Sequence, residues 1–368
     1  MLAVHIAITP LAGSPIRIVG ALCKHTQWRA RLIVLNPNAY GTRTFENDLL
    51  WERDRAEALS CLEQADILHF HHYFELNNNQ FNFDFTKLNK ICVRQFHSSP
   101  LHITGGNHAE IKNVINSSIA QLVITQYPER YFPNARLVPN LVPLENPEYK
   151  PLVKCSADAD ITIFFAPSSN YSAWEFSDPM ARWATKGAPE TITMLLHLAQ
   201  ALPKIKVDIR RDIPHAQCLG ARQHADISID ELVTGSFHLS SLEGMAQGVP
   251  TLAYLDGRTR DVLAQFTGTN NNPWINCCLE AAPDAIKAMV KDPEFRLAKG
   301  REVRVWMERY WNDSAMVKHY VDAYETLIET NGARFPTRFD LSKLLTKWQI
   351  QTQHDLAWRI RRFRQKWK

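Results

Sequence analysis

The chain has 368 residues, 45% hydrophobic and 22% charged, which excludes a disordered or fibrous class and leaves room for two domains, each with its own core. Its seven cysteines (Cys23, Cys61, Cys92, Cys155, Cys218, Cys277 and Cys278) are odd in number and form no C-x-x-C pair. That argues against a disulfide framework or structural zinc and for a reducing compartment. The net charge of +4 is unevenly placed: residues 331–368 hold ten Lys/Arg against two Asp/Glu, and the remaining residues hold 32 against 36. A mildly acidic body with a basic tail points to a surface partner for the tail and excludes a nucleic-acid-binding body.

In chain order, MLAVHIAITPLAGSP lacks a basic leader and is broken by Pro10 and Gly13, so it reads as a first buried strand, Val4–Ile8, and not as a signal peptide. Further strands are expected at Arg31–Leu35, Ile67–Phe70, Lys90–Gln95 and Gln121–Thr125, with helices near Pro15–Lys24, Phe45–Gln64 and Asn107–Ala120. Pro139, Pro143, Pro147 and Pro151 mark a linker. The second half repeats the scheme, with strands at Ile161–Ala166, Ile205–Ile209, Ile227–Ile229, Thr251–Tyr254 and Trp274–Cys277. Its helices are expected near Ala188–Leu202, Ser241–Gln247, Arg258–Gln265 and Pro283–Val290. Apolar strands alternating with helices imply parallel α/β sheets, whose ligands sit where strand ends lead into helix N-termini. The expected organisation is an N-terminal Rossmann-like domain 1–145, a second such domain 146–330, and a basic amphipathic tail 331–368. No apolar run reaches the ~18 residues of a membrane span.

One loop of that kind follows Ala225–Asp230 and reads GSFHLSSLEGMAQGVP over Gly235–Pro250. Ser240 and Ser241 open a helix whose amides and dipole favour an anion, and Glu243 lies one turn in, within reach of a ribose hydroxyl. S-x-E-G-M-A-x-G-x-P after A-D-I-x-I-D resembles the donor signature of retaining GT-B glycosyltransferases of the GT4 type. Three further segments resemble that family in the same order: Asp66–His71 (DILHFH), Val138–Val142 (VPNLV), and Phe165–Ser168 (FAPS) followed by Lys186–Gly187.

The resemblance implies two Rossmann-like domains with parallel sheets facing a cleft, and transfer of a sugar from a nucleotide-diphosphate sugar to a glycan or lipid-linked acceptor. No metal and no separate cofactor is implied. It implies Glu243 on the donor ribose, Lys186 with Ser240 and Ser241 at the donor phosphates, Asp230 among the donor-binding residues, Arg182 as a basic companion of Lys186, Gly13 and Ser14 approaching the donor from the first domain, and His97 against the sugar. Lys186 and His97 would carry the chemistry. Two positions depart: the family often has a glutamate where this chain has Gly235, and a glycine where it has His238. Asp230–Glu231 followed by Gly235 resembles a D-Q-x-x-x-G form that also lacks the acid. A GT-B epimerase and a degenerate GT-B binding protein are the alternative readings.

His69 and His71 share a strand face at i and i+2, but no acid or cysteine cluster stands beside them, so they and His72 read as core or cleft-lining histidines. In the tail, Leu356, Ile360, Phe363 and Trp367 form one helical stripe among six Lys/Arg between Arg359 and Lys368, a pattern suited to an anionic membrane surface. Together with the cysteine usage this implies a cytoplasmic protein, peripheral on the inner face of the membrane, acting in bacterial surface polysaccharide synthesis.

Overall fold

Apolar runs without alternation become strands covered on both faces, and this chain builds two such parallel sheets. The computed structural model describes residues 1–153, 160–167, 169–176, 178–340 and 342. They divide into one unit of Met1–Pro143 with Asn312–Phe339, and another of Leu144–Trp311 with the described residues from Asp340 on. The expected tail helix at 356–368 lies outside the described residues, as do Cys155 and Ser168.

The first unit holds β1 (Leu2–Ala7), β2 (Arg29–Val34), β3 (Leu49–Leu50), β4 (Ile67–His71), β5 (Ile91–Phe96), β6 (Ala120–Ile124) and β7 (Ala135–Val138). They pair in parallel in the order β3-β2-β1-β4-β5-β6-β7. From β1 the chain runs outward to β2 and β3, then returns to the other flank of β1 with β4. The strand order therefore switches between β1 and β4, the place where such sheets receive ligands. Every residue of β1 and β4 is buried.

The second unit holds β8 (Ile161–Phe165), β9 (Ile205–Ile209), β10 (Ile227–Ile229), β11 (Thr251–Ala253) and β12 (Ile275–Asn276), in the order β12-β11-β10-β8-β9. All pairs are parallel, and the switch falls between β8 and β10. Its core joins these strands to the helices Ala188–Ala201 and Ala282–Lys291. The helix Pro293–Tyr310 lies against the helix Leu239–Ala246.

Some expectations differ from the outcome. The helix foreseen over Phe45–Gln64 starts only at Arg55, because Asp48 accepts from the Arg31 guanidinium and the Leu32 amide and draws Leu49–Leu50 alongside β2. The helix foreseen over Asn107–Ala120 is confined to a 3-10 turn and Ile111–Ile115, where Gln121 Nε2 donates to the carbonyls of Val114 and Ile115 and closes it. Residues 312–330, counted with the second domain in the sequence although a return of Arg301–Thr330 to the first domain is an open reading there, pack with the first: Tyr320 Oη donates to Pro139 O at 2.8 Å, and Tyr324 reaches the histidines of β1 and β4. Among the described residues no helix is long and apolar enough to cross a membrane.

Candidate functional site

The switch point of the second sheet brings together three of the expected residues, Lys186, Asp230 and Ser240. Phe165 ends β8 and Ile229 ends β10, so Ala166 and Asp230 lie side by side at the carboxyl edge. Lys186 reaches them from a left-handed turn (φ +55°) closing the 3-10 segment Trp183–Thr185. Its Nζ donates to Ser240 Oγ at 2.7 Å and lies 3.2 Å from Asp230 Oδ1 and 3.5 Å from Ala166 O. Gly187 (φ +55°) follows because a Cβ there would sit 2.3 Å from Val233 Cγ2; only glycine lets this turn seat against the 232–235 loop.

Asp230 is the hub. Its Oδ1 accepts from Ser240 Oγ at 2.6 Å, and its Oδ2 accepts from the His238 amide at 2.6 Å, the residue that caps the helix Leu239–Ala246. Burial pushes this carboxyl up, but Lys186 and then His238 and Ser240 outweigh it and hold Asp230 ionised well below the usual carboxylate range. His238 is stacked on Trp183 (centroids 4.2 Å, planes 6° apart) and donates Nε2–H to Trp183 O. Burial and the neighbouring Lys186 lower its pKa and keep it neutral.

The other expected residues take distinct places. Ser241 is buried with its hydroxyl accepting from Trp274 Nε1 at 2.6 Å, and its amide donates to His238 O at 3.0 Å. Glu243 is also buried and receives Arg222 Nη1 at 2.7 Å and His215 Nε2 at 2.9 Å. Arg182 donates Nε–H to Phe176 O, tying the short helix Pro179–Arg182 to its own approach loop. In the first unit, Gly13 (φ +75°) precedes the helix Ser14–His25, and Ser14 Oγ donates to Asn140 Oδ1 at 2.7 Å. Asn140 in turn donates to Gln126 Oε1. Gly13–Ser14 after β1, His97 after β5 and Asn140 after β7 thus share the carboxyl edge of that sheet. His97 Nε2 meets His71 Nδ1 at 2.9 Å, and burial lowers its pKa to about 3.

Sequence reasoning missed Arg222, His215 and Trp183, and it named His238 only as a departure and Asn140 only within the VPNLV segment. Arg222 and His215 stand on a separate helix, His215–His224, with no local sign that they close on Glu243. It also missed where Glu231 points. That carboxylate accepts from the amides of Val233, Thr234 and Gly235 and from Thr234 Oγ1, so it clamps its own loop.

No protein-family profile matches the chain, and no curated protein matches it. Solved structures do. Sucrose-phosphate synthase from Thermosynechococcus elongatus is 15% identical with a TM-score of 0.53, over 90% of this chain and 100% of that one. HepE from Anabaena, in complex with UDP and glucose, is 12% identical with a TM-score of 0.55, over 89% and 100%. An α-glucosyltransferase in complex with UDP and a 13-mer DNA containing an HMU base is 9% identical with a TM-score of 0.59, over 88% and 98%. What this chain shares with them is the fold: two α/β units with parallel sheets, the GT-B class.

Proposed function

We propose that this protein is a glycosyltransferase of the GT-B fold that moves a sugar from a nucleoside-diphosphate donor to a hydroxyl of a glycan or lipid-linked acceptor. The observation that carries the reading is the Lys186–Ser240–Asp230 node, a buried ammonium held at a helix N-terminus on the switch point of the second sheet. An arriving pyrophosphate meets the Lys186 ammonium, the amides of Leu239 and Ser240 and the positive end of the helix dipole, all preorganised before the bond breaks. As the nucleoside diphosphate departs, negative charge grows where these groups already point, so the transfer step needs no metal ion. Glu243, aligned by Arg222 and His215, is the group for the ribose hydroxyls. HepE with UDP and glucose, and the α-glucosyltransferase with UDP, supply the analogy for a uracil nucleotide and a hexose.

The GT4 resemblance adds a retaining outcome, a setting in bacterial surface polysaccharide synthesis and a cytoplasmic location, with residues 356–368 as the segment that would meet the membrane. Gly235 favours a second reading, a GT-B protein that binds the donor without transferring the sugar, because the acid often found there is missing. The test is a thermal-shift series with UDP, GDP, UDP-glucose and GDP-mannose, followed by donor-hydrolysis and product analysis. A cognate donor at a hundredfold excess over Kd adds ~2.7 kcal/mol of stability. Binding with neither hydrolysis nor transfer favours the second reading. No shift with any nucleotide in wild type, where Lys186→Ala also changes nothing, sinks both.

A further inference from the structure

Four histidines and a tyrosine of the first unit form one connected chain of hydrogen bonds through its core. His5 in β1 and His69 in β4 are register partners, and His71 stands two residues on along β4. Tyr324, on the helix Lys318–Glu329, bridges His69 Nδ1 at 2.6 Å and His5 Nε2 at 3.1 Å. His5 Nδ1 meets His71 Nε2 at 3.0 Å, and His71 Nδ1 meets His97 Nε2 at 2.9 Å. His5 and His69 are fully buried, His71 is 1% exposed and His97 is 9% exposed, at the carboxyl edge where the sheet receives ligands. The ring nitrogen of His97 that bonds into the chain is Nε2, which leaves Nδ1 on the other side of the ring.

We propose that Tyr324, His5 and His71 act as a relay that fixes the tautomer of His97, so that His97 presents an unprotonated Nδ1 as acceptor to a hydroxyl of the bound sugar. The ligand class rests on the function proposed above; the relay does not.

Proton counting gives the direction of the chain. Burial keeps all four imidazoles neutral, so each has one N–H and one lone pair. In a chain of ring-to-ring bonds every proton must then point the same way, and one end sets the direction. Tyr324 sets it, because its phenol has a single proton and two nitrogen neighbours. O–H donors make the shorter bonds and N–H donors the longer ones. The 2.6 Å contact is therefore Tyr324 O–H donating to His69 Nδ1, and the 3.1 Å contact is His5 Nε2–H donating to Tyr324. His5 Nδ1 must then accept from His71 Nε2–H, and His71 Nδ1 must accept from His97 Nε2–H. The lone pair of His97 is left on Nδ1.

Under this direction His69 carries its proton on Nε2, which needs an acceptor. Neither His69 Nε2 nor Oε1 of the neighbouring Gln95 makes a hydrogen bond within normal geometry, so each is left to complement the other. The Gln95 amide is oriented by Tyr320, whose own proton goes to Pro139 O, so that Tyr320 accepts from Gln95 Nε2 at 3.1 Å.

A metal is the competing use of the same residues, because His5, His69 and His71 bring ring nitrogens within 4.8 Å of one another. Their rings are stacked, with planes 13–29° apart. In-plane lone pairs of stacked rings run side by side and do not meet at a point, and His5 Nδ1 and His71 Nε2 are already spent on each other.

The experiment is 15N–1H correlation of the histidine rings in the full chain, labelled at histidine, at pH 7.5 with and without EDTA. His97 is assigned by its loss in His97→Gln. The expected wild-type result is a protonated Nε2 and an unprotonated Nδ1 for His97, unchanged by EDTA. Tyr324→Phe removes the direction-setting group and is expected to give His97 a mixture of tautomers. The same variant should weaken binding of a nucleotide sugar about three- to tenfold, the loss of one hydrogen bond, while leaving the free nucleoside diphosphate unaffected. Protonation of His97 at Nδ1 in wild type overturns the relay, as do an unchanged tautomer in folded Tyr324→Phe and EDTA-sensitive ring signals. The wild-type spectrum decides the direction even where Tyr324→Phe does not fold. Absence of nucleotide-sugar binding with the predicted tautomer in place would remove the ligand class alone.

Discussion

Gly235 stands where the resemblance would put an acid, and its surroundings explain why no side chain is present. Its φ is +96°, and a Cβ would meet the Asp256 side chain at 3.0 Å, while its carbonyl accepts from Asp256 N and Thr259 Oγ1. Gly235→Ala therefore combines left-handed strain with a clash and should cost about 1–3 kcal/mol, read as a lower urea midpoint at unchanged slope. A substitution without effect would mean that the loop relaxes freely. Glu243 is a second case in which the sequence named the residue and not its setting. Its motif was legible, but its charge partner Arg222 lies 21 residues away on another helix, 1% exposed and stacked over Phe164. Removing one member of a buried pair strands the other, so Glu243→Ala should destabilise by roughly 3–5 kcal/mol, and Arg222→Met in the same chain should recover part of the loss. Additive losses in that double variant would show that the two do not interact.

At the scale of elements, the helix Leu239–Ala246 owes its position to its crossing with Pro293–Tyr310. A Cβ on Gly300 would lie 2.5 Å from Gly248 O, so the two backbones touch with no room for a methyl group. Four residues on, Arg304 donates to Ala246 O at 2.6 Å and so closes the C-terminus of the helix whose N-terminus carries Ser240. Gly300→Ala should push these helices apart at a cost of about 1–3 kcal/mol. It should also weaken nucleotide binding although it lies at the far end of the helix from Lys186. Unaltered binding would mean that the first turn is positioned by Asp230 alone. The long elements were legible because their signals are long. Short runs dominated by apolar residues gave β1, β4, β5 and β6 to within about two residues, and 3.6-residue periodicity gave Ala188–Ala201. The two-residue β3 and the four-residue edge strand β7 carry too few residues to show a period, and they exist through neighbours: Asp48 on Arg31 for the first, Arg338 on the carbonyls of Ala135 and Phe132 beside the second.

For the molecule as a whole, both sheets place their chemistry at the switch in strand order, and that much follows from the order of strands and helices in the sequence. What did not follow is the histidine chain, because His5 sits inside LAVHIA and reads there as one polar residue in an apolar strand. Only the parallel register brings it beside His69. The consequence is a pH dependence of folding with a definite sign. Burial lowers the pKa of His5 and His97 to about 3 and holds His69, His71 and His72 well below 6.5. Below pH ~6.5 the unfolded chain takes up protons that the native state refuses, so the stabilisation is complete above that pH and is lost as pH falls toward 3. Each histidine contributes a slope of roughly 1.4 kcal/mol per pH unit in this window, and five together on the order of 5–7. Against a typical total of ~5–15 kcal/mol, the fold should fail within about one to two units below pH 6.5, ahead of the carboxylates that titrate near 4. Urea unfolding between pH 7.5 and 5.5 measures the slope, and His5→Gln should make it shallower by up to about 1.4 kcal/mol per pH unit. A stability that stays level from pH 7 to 5 would mean that these imidazoles gain protons in the native state, and the neutral relay would fall with it.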